Sequence, residues 1–382
     1  MIVGRDHLIR RIWKQLETHS LRFTAERRVG KTTVLKEMAR NPPEDVVAIF
    51  IDLEGVSSPL RFAETLLTHV APALKKLAQT KTWFTGLMDS IGGIEIAGIV
   101  KLPEKREIDW QSRIEKLLEG LSECHPNKRI VLLFDELPYM LQKIHAEELK
   151  TRATHNSALT LLDVLRAKRK PPSRLRMVYS GSVGLHHVIS GLRNDQVAAE
   201  PFNDMPIQEI RELSPADAQR LAASLLEQDG VTSDDLERLA AAVAELGDGV
   251  PFYIERIVAR LADLECKVKV DDARKIVDQQ LSDDRNEWEM EHFRSRIPIY
   301  YPGEVADSNG RPVVLAKIVA RMLDGIAAQA EAQDIDEIWN DLKSGFALDD
   351  RALVIRLLMM LAQDHYLCCD TEKRYTFRYA LL

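Results

Sequence analysis

Four residues carry the chemistry that this 382-residue chain offers at first reading. They are Lys31 and Thr32 in TAERRVGKTTVLKEM (24–38), and Asp135 and Glu136 in IVLLFDELP (130–138). The first run has the spacing G-x-x-x-x-G-K-[ST], with Ala25 where the first glycine would stand. Such a loop turns backbone N–H groups inward around a phosphate. Ala25, Glu26, Arg27, Arg28, Val29, Gly30, Lys31, Thr32 and Thr33 are the expected cradle. Lys31 would reach the β and γ phosphates, Thr32 would ligate Mg2+, and Gly30 lets the backbone approach without a Cβ in the way. Ala25 is tolerable at the start of the loop if its φ is negative. Arg27, Arg28 and Lys31 also crowd the start of a helix expected near Val29, where the helix dipole disfavours unpaired cations. A triphosphate with Mg2+ would be their missing partner, although Arg27 and Arg28 also read as solvated side chains.

Asp135 and Glu136 end an apolar run. Ligands of parallel sheets bind outside the carboxyl ends of strands, where these acids fall. Asp135 suits the Mg2+ water shell, and Glu136 suits orienting and deprotonating an attacking water. The next strand ends in Ser180-Gly181-Ser182. Its hydroxyls read either as sensors of the γ-phosphate or as the cap of a helix beginning at Val183.

The elements that must position these groups alternate. Helical apolar spacing over 5–19 precedes the short strand LRFTA, the Arg-rich turn and a helix to about Arg40. VVAIFIDLE (46–54) is a buried strand, 59–78 a helix, 110–123 a helix before the strand 129–137, and 157–169 a helix before the strand 173–182. Strands apolar on both faces and alternating with helices imply a covered parallel sheet. IGGIEIAGIVKL (91–102) alternates with period two and reads as an inserted hairpin, either packed on the sheet edge or presenting isoleucines to a partner. From Ser214-Pro215 onward only helices follow, with starts at Ser214 and Ser233 and a break from Gly247 to Pro251. Helices near 313–328, 333–343 and 349–363, then two short strands in HYLCCDTEKRYTFRYALL, fit a winged helix. The expected layout is therefore a core over 1–213, a helical bundle over 214–282 and a winged-helix domain over 283–382.

Composition is that of a globular protein, 45% hydrophobic and 29% charged, with a net charge of −7 that exerts no global pull on nucleic acid. No run of eighteen apolar residues predicts a membrane span, and MIVGRDHLIRR lacks the apolar core of a signal peptide. Cys124, Cys266, Cys368 and Cys369 show no metal-ligand spacing, and His186-His187 are adjacent rather than four apart. A reducing cytoplasm fits this cysteine usage.

IVGRDHL (2–8), AERRVGKTT (25–33), LLFDELPYM (132–140), YSGSVG (179–184) and GDGVPFYIERI (247–257) stand in the order of the archaeal-type and STAND P-loop ATPases, an AAA+-related group that the chain resembles over about 2–265. The resemblance implies an α/β P-loop core, a helical lid and, as a common attachment, a winged helix. It places Val3, Gly4 and Arg5 beside the adenine and gives Lys31, Thr32, Asp135 and Glu136 their phosphate, magnesium and water-activating roles. Gly249-Val-Pro251 resembles the lid turn whose proline nears the base, although both residues are also plain helix stop and start signals. ATP or ADP with Mg2+ are the implied cofactors, and a protein partner or self-assembly the implied company. Many relatives offer an arginine just before the next strand, where this chain has EPFNDMPIQEI; Arg193 and Arg256 are the remaining candidates for an arginine finger. Members of this group often act as slow switches.

Two further readings stay open. One is a nucleotide-gated interaction protein that hardly turns over. The other is a DNA-binding regulator using RAKRKPPSRLR (166–176) or Lys373, Arg374 and Arg378 in the wing. Charge argues against strong DNA binding by the last hundred residues, where 18 acids face 12 bases.

Overall fold

The computed structural model describes residues 2–77, 81–91, 94–96, 99–101, 109–125, 127–151, 156–181, 184–192, 201–282, 287–288, 290–329 and 331–381. The chain forms two compact units, Met1–Ile210 and Arg211–Leu382.

In the first unit, α1 (Asp6–Gln15) leads to β1 (Leu21–Thr24), α2 (Lys31–Arg40), β2 (Val46–Asp52), α3 (Pro59–Leu77) and α4 (Lys81–Ser90). A hairpin of β3 (Ile94–Ile96) and β4 (Ile99–Lys101) follows, then α5 (Trp110–Glu123), β5 (Arg129–Asp135), α6 (Leu137–Thr151) and α7 (Ser157–Arg169). β6 (Leu175–Tyr179), α8 (Leu185–Leu192) and β7 (Ile207–Glu209) complete the unit. The expected hairpin is thus present as two antiparallel strands, while its turn at Ala97-Gly98 lies outside the described residues.

The five-stranded sheet has the order β2-β5-β6-β1-β7, and every pairing in it is parallel. β5 sits inside the sheet and is buried along almost its whole length, as its unbroken run of apolar residues requires. Phe134 fixes its C-terminal end, with its ring 5.8 Å from Phe62 of α3 and 6.0 Å from Tyr179 of β6. Burying each of these rings contributes about 1.5–3 kcal/mol. The consequence for function is positional: β1, β5 and β6 point the same way and discharge their following residues at one edge of the sheet.

Several expected boundaries move for local reasons. The helix expected near Val29 begins at Lys31, because Gly30 precedes it with a left-handed φ of 96°. β5 stops at Asp135 because Glu136 turns out of the strand with φ 56°.

The second unit holds α9 (Pro215–Gln228), α10 (Leu236–Leu246), α11 (Pro251–Ala262) and α12 (Val270–Ser282), then the short α13 (Glu291–Ser295) and α14 (Ile297–Tyr300). The hairpin β8 (Glu304–Ala306) and β9 (Pro312–Val314) leads to α15 (Leu315–Ala327), α16 (Ile335–Phe346), α17 (Arg351–Gln363) and the antiparallel pair β10 (Leu367–Cys369) and β11 (Tyr375–Phe377). Ser214 caps α9 as expected, its hydroxyl accepting from the Asp217 N–H, with Pro215 in the first turn. Ser233 does not start α10: Asp235 is the cap, accepting from the Arg238 N–H, and Ser233 bridges to Val268 instead.

Candidate functional site

The loop between β1 and α2 brings the expected phosphate residues together. Ala25 is buried and keeps an ordinary backbone; the left-handed residues are Arg28 (φ 71°) and Gly30 (φ 96°). A Cβ added to Gly30 would meet nothing closer than 4.0 Å, so backbone conformation, not lack of room, selects glycine there. Val29 is fully buried and nails the middle of the loop to the core, whereas Arg27 and Arg28 are half-buried and Thr33 is exposed.

Lys31 opens α2 and is 6% exposed. Its Nζ donates to the carbonyls of Ala25 (3.1 Å) and Glu26 (2.9 Å). Burial pushes the Lys31 pKa below its ordinary value, and the charges of Glu26, Glu136 and Asp135 work against that fall. Glu26 is itself buried, and its Oε1 accepts from the Arg27 N–H at 2.7 Å. The side chain that should meet phosphate is therefore curled over its own loop, held by two carbonyls that a phosphate would replace.

Thr32 and Asp135, 103 residues apart, meet: the Thr32 hydroxyl donates to Asp135 Oδ2 at 2.6 Å. Asp135 is 3% exposed, and its other oxygen, Oδ1, is buried with no hydrogen-bond partner among the described residues. A buried carboxylate oxygen left unbonded is costly. Two hard oxygen donors side by side, one of them unsatisfied, fit Mg2+, which binds one or two protein oxygens and keeps several waters. Glu136 follows in a left-handed conformation and is only half-buried, so its carboxylate leaves the strand direction beside Lys31 and Asp135.

Ser180 directly follows β6, the strand between β5 and β1. Its N–H donates to the Phe134 carbonyl (3.0 Å) and its carbonyl accepts from the Leu137 N–H (3.1 Å), so it lies beside the Asp135-Glu136 pair. Its hydroxyl is fully buried and, among the described residues, has no hydrogen-bond partner. Gly181 was not among the expected site residues, yet it is constrained: a Cβ there would lie 2.5 Å from Pro138 Cδ at the start of α6. Its signal was the close packing that Pro138, two residues after Glu136, demands. Ser182 lies outside the described residues.

Val3 and Gly4 form the turn before α1, Gly4 with φ 69°. Arg5 is 6% exposed, and its Nη2 donates to the Val29 carbonyl at 2.8 Å. Sequence reading missed this contact, since nothing in the spacing of residues 5 and 29 announces it. Pro251 opens α11 at its first turn in the second unit, after Gly249 with φ 66°. A Cβ on Gly249 would strike the Leu213 carbonyl at 2.8 Å, so glycine is required there for packing as well as for φ. Arg193 lies outside the described residues, and Arg256 is exposed with its guanidinium 5.1 Å over the Phe252 ring.

The basic stretch 166–176 is largely consumed within the protein. Arg169 is buried, donating to both Asp204 oxygens (2.9 and 2.8 Å), to the Pro201 carbonyl and to the Tyr179 hydroxyl (3.0 Å). Lys168 pairs with Glu119, and Arg166 donates to Asn203. In the wing, Arg374 pairs with Asp370 (3.2 Å) and Glu372 (3.1 Å), and Arg378 with Glu212 (3.3 Å).

With this geometry in view, the fold has close counterparts among solved structures. A Walker-type ATPase of Pyrococcus abyssi superposes with a TM-score of 0.61 at 15% identity, covering 100% of this chain and 94% of that one. The ORC2 protein of Aeropyrum pernix, solved with ADPNP and ADP, superposes with a TM-score of 0.50 at 14% identity, covering 99% of this chain and 89% of that one. No protein-family model matches the chain, and no curated protein matches it. The first unit shares with these structures an α/β fold built on a parallel five-stranded sheet. Among the described residues, no helix is long and apolar enough to cross a membrane.

Proposed function

We propose that the chain binds ATP with Mg2+ at the loop 25–33 and hydrolyses it, using the nucleotide state to switch conformation or assembly. The observation that carries this reading is the meeting of Thr32 and Asp135 beside Lys31, with Asp135 Oδ1 buried and unbonded. Thr32 and Asp135 would hold Mg2+, which when bound neutralises phosphate charge. Lys31 would leave the Ala25 and Glu26 carbonyls for phosphate oxygens. Glu136 would orient the attacking water and take its proton, and the buried Ser180 hydroxyl would contact the same water or the γ-phosphate.

We read the second unit as a helical lid over 214–282 followed by a winged helix over 283–382. Three helices ahead of the β10–β11 ribbon support the latter. A protein partner or self-assembly is the company this reading implies. Its rival, a nucleotide-gated protein with little turnover, is favoured by the stacking of Arg256 on Phe252, which engages the one described candidate for a finger. The DNA-binding reading loses support, because Arg169, Lys168, Arg374 and Arg378 are engaged by acids of the chain itself.

The deciding experiment measures ATP turnover by wild type and Glu136→Gln, with co-purified nucleotide identified. Loss of a general base lowers turnover by about 100-fold or more while ATP binding persists. Equal turnover in the variant removes Glu136 from the mechanism, and bound nucleotide without turnover in wild type favours the gated rival.

A further inference from the structure

We propose that Arg5 is a positioning residue of the phosphate loop: its guanidinium fixes the Val29–Gly30 peptide in the orientation that presents the Gly30 N–H to phosphate. This rests on the nucleotide reading of the loop, and it gives Arg5 a role other than the contact with the base that the resemblance assigns to residues 3–5.

A trans peptide is planar, with its C=O and N–H on opposite edges. Because Arg5 Nη2 holds the Val29 oxygen at 2.8 Å, the Gly30 N–H is directed away from Arg5. Loss of that anchor frees the Val29 oxygen from its side-chain tie. The residues on either side of Val29, Arg28 and Gly30, have left-handed φ values of 71° and 96°, and glycine adopts both signs of φ at similar cost. The buried Val29 side chain and the Val34 N–H, which donates to the Gly30 carbonyl at 3.0 Å, pin the neighbouring atoms of the loop.

Arg5 is well placed to hold it. Its carbonyl accepts from the Ile9 N–H at 2.9 Å at the start of α1, and Ile12 of that helix is fully buried. The loop's carbonyls thus divide by purpose. Those of Ala25 and Glu26 are held by Lys31, which must let go when phosphate arrives. That of Val29 is held by Arg5, which contacts the loop from outside and keeps its grip. The cradle is preset on one side and released on the other.

The test compares wild type, Arg5→Met and Arg5→Lys for binding of two probes in the presence of Mg2+: ATP, and inorganic tripolyphosphate, which has no base. A loop-orienting role weakens both probes by the same factor in Arg5→Met, about tenfold for a lost charged hydrogen bond, with partial recovery in Arg5→Lys. Weakened ATP with unchanged tripolyphosphate makes Arg5 a base-side contact and overturns the proposal. Unchanged affinities with a lower melting temperature make it a purely structural arginine, with the same result. Should Arg5→Met fail to fold, Arg5→Lys carries the comparison alone, a single donor still being weaker than the fork. Wild type that binds ATP but not tripolyphosphate also counts against the proposal, since a preset cradle holds phosphate without the base. Wild type that binds neither overturns the nucleotide reading itself.

Discussion

The molecule has two concentrations of positive charge in its first unit, and they teach opposite lessons. Around Lys31 the cations sit on a loop whose backbone is held in left-handed conformations, and the nearby acids leave a buried oxygen unsatisfied. Around 166–176 the cations are more numerous, and acids brought in from elsewhere engage Arg166, Lys168 and, above all, Arg169. A ligand site is marked by polar groups that the fold positions and then leaves incomplete. A structural cluster is marked by acids of the chain brought to its buried cation. Density of lysine and arginine along the sequence does not separate the two.

The largest effect expected from breaking this contrast is structural and falls on the second cluster. Arg169→Met should destabilise the protein by about 3 kcal/mol, because it removes a buried cation, strands the Pro201 carbonyl and takes the principal partner from Asp204. Partial burial works to raise the Asp204 pKa, but the Arg169 hydrogen bond and charge outweigh it and hold it below its ordinary value. A depressed carboxylate pKa stabilises the fold above the unfolded value of about 3.9 and ceases to do so as pH falls through the folded value. The penalty of Arg169→Met should therefore shrink in denaturant titrations below about pH 4. A penalty that stays constant from pH 7 to pH 3 would show that the pair is not the source.

The phosphate loop should answer in the reverse manner. Lys31→Ala removes a side chain that bonds the loop's own carbonyls and lies among Glu26, Glu136 and Asp135, and its largest effect should appear on adding nucleotide. ATP at a hundred times its Kd stabilises a binding protein by about 2.7 kcal/mol. Wild type should show the corresponding rise in melting temperature, and Lys31→Ala should show none. A full shift in the variant would put the nucleotide elsewhere.

The same contrast explains what was legible beforehand. The loop 25–32 and the pair Asp135-Glu136 could be read because their chemistry depends on neighbours in sequence: a fixed spacing, a glycine where φ must be positive, acids at the end of an apolar run. Alternating strands and helices gave the parallel sheet for the same reason. Contacts made by folding could not be read. Arg169 meets Asp204 35 residues later, and Arg5 meets Val29 24 residues later, through side chains whose spacing carries no period. One miss did have a local signal: Asn309-Gly310 forms the turn of the β8–β9 hairpin, with Asp307 Oδ1 accepting the Asn309 and Arg311 N–H groups. Ser233 and Asp235 are both plausible caps by residue type, and only the Ser233–Val268 bridge decides between them.

The smallest expected effect sharpens the comparison most. Lys170 is exposed, and Lys168 pairs only with the half-exposed Glu119, so Lys168→Gln with Lys170→Gln should change stability by less than about 0.5 kcal/mol. If the stretch bound nucleic acid, neutralising two of its cations would lower the dependence of affinity on salt by about two phosphate contacts. We expect neither a change in stability nor salt-dependent binding for the variant to lose, measured by fluorescence anisotropy on duplex and single-stranded DNA across 50–200 mM salt. Binding by wild type that weakens steeply with salt and disappears in the double variant would mean that the two lysines form an interface despite the completed pairs around them. Pairing with the chain's own acids would then no longer separate structure from site in this fold.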